Sequence, residues 1–180
     1  ESGRGVDRRG AAAHIVVGRQ TVVGRKIDLT DSPAVVTIGQ SEGGNRGNII
    51  PDSVVMVGTI RTLSRENRSR VHALVVQVAE NIAASQGAVA DVTIDLGYPV
   101  TANDPELTQQ MAPSLRRVVG EGAIVMSPIM GAEDFSYFAE EVPGLFIMLG
   151  VTPPEDPSMG HPNHSPLFFA DERALQIGVR

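Results

Sequence analysis

The spacing of apolar positions switches along this chain between helical and alternating, and each switch marks an element. Over residues 6–25, Ala11, Ile15, Val16, Val22 and Val23 recur at mixed helical spacing with no proline before Pro33, which predicts one helix. Residues 34–40 form a Val/Thr/Ile run between Asp31-Ser32-Pro33 and a Gly-rich loop, the signature of a strand, and residues 53–63 form a second. Ser64 then offers a cap with Glu66 in the first turn. Val71, Leu74, Val75, Val78 and Ile82 follow as one helical face, and Gly87 ends it. In residues 88–96 the pattern alternates, with Ala90, Val92, Ile94 and Leu96 on one side and Asp91, Thr93 and Asp95 on the other, so a half-buried strand is expected.

The order helix, strand, strand, helix, strand is a ferredoxin-like, split βαβ arrangement without its first strand. Four strands under two helices close well, whereas three leave an unpaired edge, so a further strand is expected ahead of Glu1. Beyond Gly97-Tyr98-Pro99 the character changes. Asn103 or Asp104 can cap a helix with Pro105 at its first position and Leu107, Met111 and Leu115 along one side, bent at Pro113. Short apolar strands are expected at 123–126 and 145–149, a short helix at 134–141, and a last helix capped by Asp171. Alternating helices and buried strands imply a doubly wound α/β domain that is again incomplete. The fold class is therefore α/β, divided near residues 97–101 into an α+β part, 1–97, and an α/β part, 98–180.

Composition narrows the partners. The 180 residues carry 15 Lys and Arg against 21 Asp and Glu, a formal charge of -6, so no field draws the chain to nucleic acid or an anionic membrane. No run reaches the length of a membrane span. There is no cysteine, which excludes thiolate ligation and disulfides within the segment and is compatible with a reducing cytoplasm, making the expected location cytoplasmic.

Chemistry concentrates in the last third, where Gly131-Ala132-Glu133-Asp134-Phe135 precedes His161-Pro162-Asn163-His164-Ser165-Pro166. A proline-braced histidine suits a metal, but one imidazole cannot hold a catalytic ion that needs three or four protein ligands. His164 is the candidate ligand and also reads as a loop histidine bonded to backbone; His161 is expected to face solvent. The glycine at 131 permits close backbone approach, and the helix start after Glu133 has N–H groups suited to an anionic group, although Glu133 and Asp134 also read simply as caps. Phe135, Tyr137 and Phe138 are expected in the core. Arg61 projects from the face opposite Val54, Met56 and Ile60, as a carboxylate clamp or as a solvated edge arginine. Asn48 sits in the Gly-rich loop, where an asparagine also forms turns for its own sake.

Taken in order, Gly47-Asn48-Ile49-Ile50-Pro51-Asp52, Gly58-Thr59-Ile60-Arg61-Thr62, Gly131-Ala132-Glu133-Asp134-Phe135-Ser136-Tyr137-Phe138 and His164-Ser165-Pro166 resemble the amidohydrolase/carboxypeptidase family that includes hippurate hydrolase and the indole-3-acetyl-amino acid hydrolases. The resemblance implies a catalytic α/β domain with two divalent metal ions (Zn, Mn, Ni or Co) and an inserted ferredoxin-like lid that also makes a homodimer. It implies that a metal-activated water hydrolyses the amide of a small N-acyl amino acid. By the same resemblance His164 is a metal ligand, Arg61 clamps the substrate carboxylate, Asn48 polarises the scissile carbonyl, and Gly131 and Glu133 border the substrate. No catalytic residue falls within the segment: the general base and the other ligands are expected upstream of Glu1, so the chain alone is expected to be inactive. Two rivals stand beside this: a non-catalytic dimerisation or ligand-binding module, which leaves the Gly131 and His164 motifs without purpose, and a dipeptidase or deacetylase of the same metal chemistry.

Overall fold

The computed structural model describes residues 5–30, 32–122 and 125–180, and the chain divides into two units. The first takes residues 1–100 with 128–132; the second takes 101–127 with 133–180.

In the first unit the single helix expected over 6–25 is two: α1 (Arg8–Gly18) and α2 (Gln20–Lys26). Asp7 caps α1 by accepting the Gly10 N–H at 2.9 Å. The break at Arg19 has two causes. The Thr21 hydroxyl donates to the Gly18 carbonyl at 2.7 Å, and the Arg19 guanidinium donates to the Val36 carbonyl on the first strand. Gly18 lets Ile82 pack close, since a Cβ there would lie 2.3 Å from Ile82 Cδ1 and push that side-chain tip aside. Restarting the helix after this contact turns Val22 fully into the core.

β1 (Ala34–Glu42) pairs antiparallel with β2 (Val55–Thr62), and Ser64 caps α3 (Arg65–Ser85) by accepting the Asn67 N–H at 3.2 Å. Val22, Ile27, Ala34 and Val71 form the buried centre. Val36, Ile60, Leu74, Val75 and Val78 pack around it, so one face of the sheet meets the helix stripe that the sequence announced. The ladder shifts register between Ile38 and Gln40, opposite Gly58, where a Cβ would meet the Thr37 carbonyl oxygen at 2.1 Å. Gly58→Ala should therefore destabilise the hairpin by about 1–3 kcal/mol, as overpacking does, seen as a lower midpoint of urea unfolding.

The third strand expected at 88–96 is not laddered. Its alternation survives as far as residue 95, with Ala88, Ala90, Val92 and Ile94 half-buried and Val89, Asp91, Thr93 and Asp95 exposed, but Leu96, expected on the inner side, is 64% exposed, and no hydrogen-bonded neighbour exists for the segment among the described residues. Alternation fixes which side chains turn inward, but a strand is completed only by a partner's N–H and C=O groups.

His72, half-buried on α3, has its pKa lowered from 6.5, first by burial and then by the charge of Arg68. The unfolded chain thus binds this proton more readily than the folded one, so the contribution is intact above 6.5 and is lost as pH falls through and below it. His72→Gln should flatten the acid side of the stability profile, measured by thermal unfolding between neutral and mildly acid pH.

The second unit contains α4 (Pro105–Val119), α5 (Phe135–Glu141) and α6 (Arg173–Gly178), with single 3-10 turns at Gly120–Gly122 and Pro157–Met159. Asp104, rather than Asn103, caps α4 by accepting the Leu107 N–H at 2.7 Å, and the helix continues through Pro113. Asn103 instead holds the backbone of Phe146 on both sides, donating to its carbonyl at 3.0 Å and accepting its N–H at 2.7 Å. The strand expected at 145–149 is not formed among the described residues, and the one expected at 123–126 falls partly outside them. Residues 123 and 124 lie outside the described residues, 125 and 126 are unpaired by any strand, and 145–149 runs with Ile147, Met148 and Leu149 exposed. A parallel core strand needs neighbours and covering helices, and the described residues supply Phe146 with one amide side chain. Phe135 is half-buried with its ring tilted against Phe146 at 5.5 Å, short of the core position expected of it, Tyr137 and Phe138 are exposed, and Ser136 takes the buried position. Three of every four positions on so short a helix cannot all turn inward. No helix of the described residues is long and apolar enough to cross a membrane.

Candidate functional site

Strand periodicity positions Arg61. On β2, Met56, Ile60 and Thr62 are half-buried on the helix side, while Val55, Val57, Thr59 and Arg61 are exposed on the other, and Arg61 lies opposite Val35 in the ladder. Its Nη1 donates to the Met130 carbonyl at 2.7 Å. One N–H of the fork is thereby used to fix the plane of the guanidinium, and the others keep the geometry that a carboxylate matches. The structure thus brings Arg61 to the segment that carries Gly131, both in the first unit. Beside them lies a shallow cleft of about 550 Å³ lined by Ser32, Pro33, Leu63, Ser64, Pro128 and Met130. Sequence reasoning missed this cleft, because Arg61 is anchored by a backbone carbonyl, which no side-chain pattern announces.

Asn48 is placed elsewhere. The loop 43–54 leaves β1 through Gly44 at φ +82°, a conformation that favours glycine, and Arg9 of α1 holds its base by donating to the Gly43 carbonyl at 3.0 Å. A turn closed by the Ile49 N–H on the Arg46 carbonyl, at 3.3 Å, presents Asn48 to solvent. This loop joins Glu42 to Val55, at the far end of the hairpin from Arg61. From Val55, where this loop joins the sheet, to Arg61 the strand extends roughly 20 Å.

A Cβ at Gly131 would find nothing within 4 Å among the described residues, so no packing among them requires this glycine. Glu133 and Asp134 are exposed, and the expected capping by their carboxylates is replaced by another device. The Ser136 hydroxyl donates back to the Glu133 carbonyl at 2.6 Å, closing the first turn of α5 from inside.

His164 stands in the loop between Val151 and Asp171, whose backbone groups bond at 2.9 Å. Arg173 closes the loop further, binding Asp171 and reaching Glu155 at 2.5 Å. The cap position of α6 falls to Glu172 rather than to Asp171, whose carboxylate instead accepts the Arg173 N–H at 3.0 Å in a turn just ahead of the helix. Hydrogen bonds from Arg173 hold the Asp171 carboxyl below its ordinary range, and the same pairing raises the guanidinium. Ser165 shapes the tip, its hydroxyl accepting the Leu167 N–H at 3.1 Å. His164 is exposed and His161 half-buried, the reverse of the burial expected for His161, because the turn at Pro162 folds the earlier residue inward. Among the described residues no three His, Asp or Glu side chains converge to hold a metal ion, so His164 by itself does not fit a metal centre.

Comparison with known proteins places these features. Residues 2–180 match the sequence model of peptidase family M20/M25/M40. A probable hydrolase of Synechocystis sp. is 34% identical over 99% of this chain and 47% of its own length. An IAA-amino acid hydrolase of Arabidopsis thaliana is 37% identical over 94% of this chain and 38% of its own. A solved structure from Bacillus subtilis, described as a dinuclear metal binding peptidase from the M20 family, has a TM-score of 0.76 and 31% identity over 96% of this chain and 43% of that one. The chain therefore spans less than half the length of these relatives.

Proposed function

Because the chain belongs to peptidase family M20/M25/M40, we propose that it forms the lid and the end of the catalytic domain of a metal-dependent hydrolase of N-acyl amino acids. The observation that carries this reading is Arg61: a guanidinium on an exposed sheet face, oriented by the Met130 carbonyl and adjoining the Gly131 segment, is built to receive a carboxylate. Gly131, where a Cβ would meet nothing within 4 Å among the described residues, allows a substrate close to the backbone, and Glu133, two positions later in the sequence, is the further substrate contact.

Residues 1–97 act as the lid and dimerisation part, and 98–180 as part of the catalytic domain. Asn48 donates its amide to the carbonyl oxygen of the substrate, as oxyanion stabilisers do. Its loop joins the hairpin at the end away from Arg61, which supports a homodimer in which each lid presents Asn48 to its partner's substrate and Arg61 to its own. His164 is one ligand of a centre of two divalent ions, Zn, Mn, Ni or Co, whose other ligands and general base these residues do not supply. The cysteine-free composition and the acidic net charge suit a cytoplasmic enzyme of small substrates with neither nucleic acid nor membrane as partner.

The enzyme that includes these residues should hydrolyse N-acyl amino acids at least about tenfold faster, in kcat/KM, than dipeptides with a free amino group, since an ammonium on the acyl side loses hydration that an uncharged acyl group does not have to lose. Competition assays followed by chromatography check this. A preference for dipeptides would favour a dipeptidase of the same metal chemistry.

A further inference from the structure

The loop that carries His164 is held by polar ties more than by burial. Along its second limb Leu167, Phe168 and Phe169 are exposed, and a shallow cavity of about 270 Å³ has Met159 and Phe169 on its walls. The hydrogen bonds within residues 152–170 are all short-range, such as those from the His161 N–H to the Met159 carbonyl and from the Ser165 N–H to the Pro162 carbonyl, both 2.8 Å. A loop built this way opens at low cost unless its ends are tied.

Two hydrogen bonds among the described residues tie them. The Asp171 N–H donates to the Val151 carbonyl at 2.9 Å, and the Arg173 guanidinium reaches Glu155 at 2.5 Å. An isolated exposed ion pair contributes little, since two long side chains lose freedom to make it, and the side chains of Arg173 and Glu155 are 63% and 62% exposed. Arg173, however, is fixed before it meets Glu155. Its Nε lies 2.9 and 2.8 Å from the two oxygens of Asp171, its Nη2 binds the same carboxylate, and the Asp171 side chain is only 13% exposed. The cost of ordering therefore falls on Glu155 alone, and one guanidinium joins the beginning of the loop, its end and the first turn of α6.

We propose that Arg173 is a positioning residue for His164: by holding Glu155 and Asp171 together it keeps the loop 152–170 closed and the imidazole at its tip in one place. Arg173 acts through the loop and not on the substrate. An imidazole already in place loses less freedom when it takes an ion, so the clasp raises metal affinity. This rests on the ligand role proposed for His164.

The test uses the complete enzyme, metal-free, with Arg173→Met, Arg173→Lys, Glu155→Gln and the Met and Gln substitutions combined. Amide hydrogen exchange over residues 157–168 should be about two- to fivefold faster in Arg173→Met, the range of an ion pair of this exposure. Glu155→Gln should act in the same direction, the combined variant should exchange no faster than Arg173→Met, and Arg173→Lys should recover part of the protection. Affinity for Zn ions, from competition with a chromogenic chelator, should fall by a similar factor in Arg173→Met. Exchange that is unchanged in Arg173→Met, or effects of the two substitutions that simply add, would overturn the proposal. So would an unaltered Zn affinity in Arg173→Met where His164→Ala lowers it. If His164→Ala leaves Zn affinity unchanged, the ligand role of His164 falls instead, and exchange alone then decides whether Arg173 holds the loop.

Discussion

Purified and supplied with Mn or Zn salts, the 180-residue chain turns over no N-acyl amino acid above the uncatalysed rate. A metal-dependent hydrolase needs an ion held by three or more protein ligands with an open position, and a base to take the proton from water. Among the described residues no three His, Asp or Glu side chains come together in that way. His164, exposed at the tip of its loop, can offer one imidazole to a passing ion, which in water binds weakly and lowers no proton affinity to a useful degree. Enzymes of this kind accelerate hydrolysis by on the order of a millionfold or more, so the gap between this chain and an intact centre is far beyond assay error. The check is amino acid release from N-acetyl-L-methionine over a day at micromolar chain concentration. Metal-stimulated release that disappears in His164→Ala would show that the chain builds a working centre, and the proposed division of ligands would be wrong.

What the sequence made legible, and what it did not, follows from which interactions are local. The face of α3 could be read because Val71, Leu74, Val75 and Val78 are fixed by helical spacing alone, and the same holds for Arg61, whose side is set by counting from Ile60. The caps at Ser64 and Asp104 lie three residues from the N–H groups they accept, within reach of a local rule. The break at Arg19 was not legible, because a hydroxyl bond like that of Thr21 to Gly18 also occurs within unbroken helices, and the Arg19 bond to the Val36 carbonyl is made only once the sheet is in place. The strands at 88–96 and 145–149 fail for a related reason: alternation and apolarity mark residues that suit a sheet, and a ladder exists only where a second chain segment presents its edge. At the site, the candidate residues stood out by motif, while the two facts that organise them came from tertiary geometry. One is the bond from Arg61 to Met130; the other is the hairpin, which the Asn48 loop joins at the end away from Arg61.

Arg61→Ala, made in the complete enzyme, should lower kcat/KM for N-acyl amino acids by roughly 10²–10³-fold, since two charge-assisted hydrogen bonds to a carboxylate contribute about 1.5–3 kcal/mol each and part of that is regained by water. Most of the loss should appear in KM, because a carboxylate remote from the scissile bond is bound alike in ground state and transition state. Arg61→Lys should recover only a part, since an ammonium restores charge without the planar fork. The same substitution removes the donor to the Met130 carbonyl and so also loosens the Gly131 segment, which makes a bare loss of activity ambiguous. The matched C-terminal amides of the same substrates separate the two effects. They have no carboxylate to lose, so against them Arg61→Ala should cost no more than a few-fold if the guanidinium clamps substrate. An equal loss on acids and amides would mean that Arg61 serves only to hold residues 128–132 against the sheet, and the carboxylate would then be bound by some other cation.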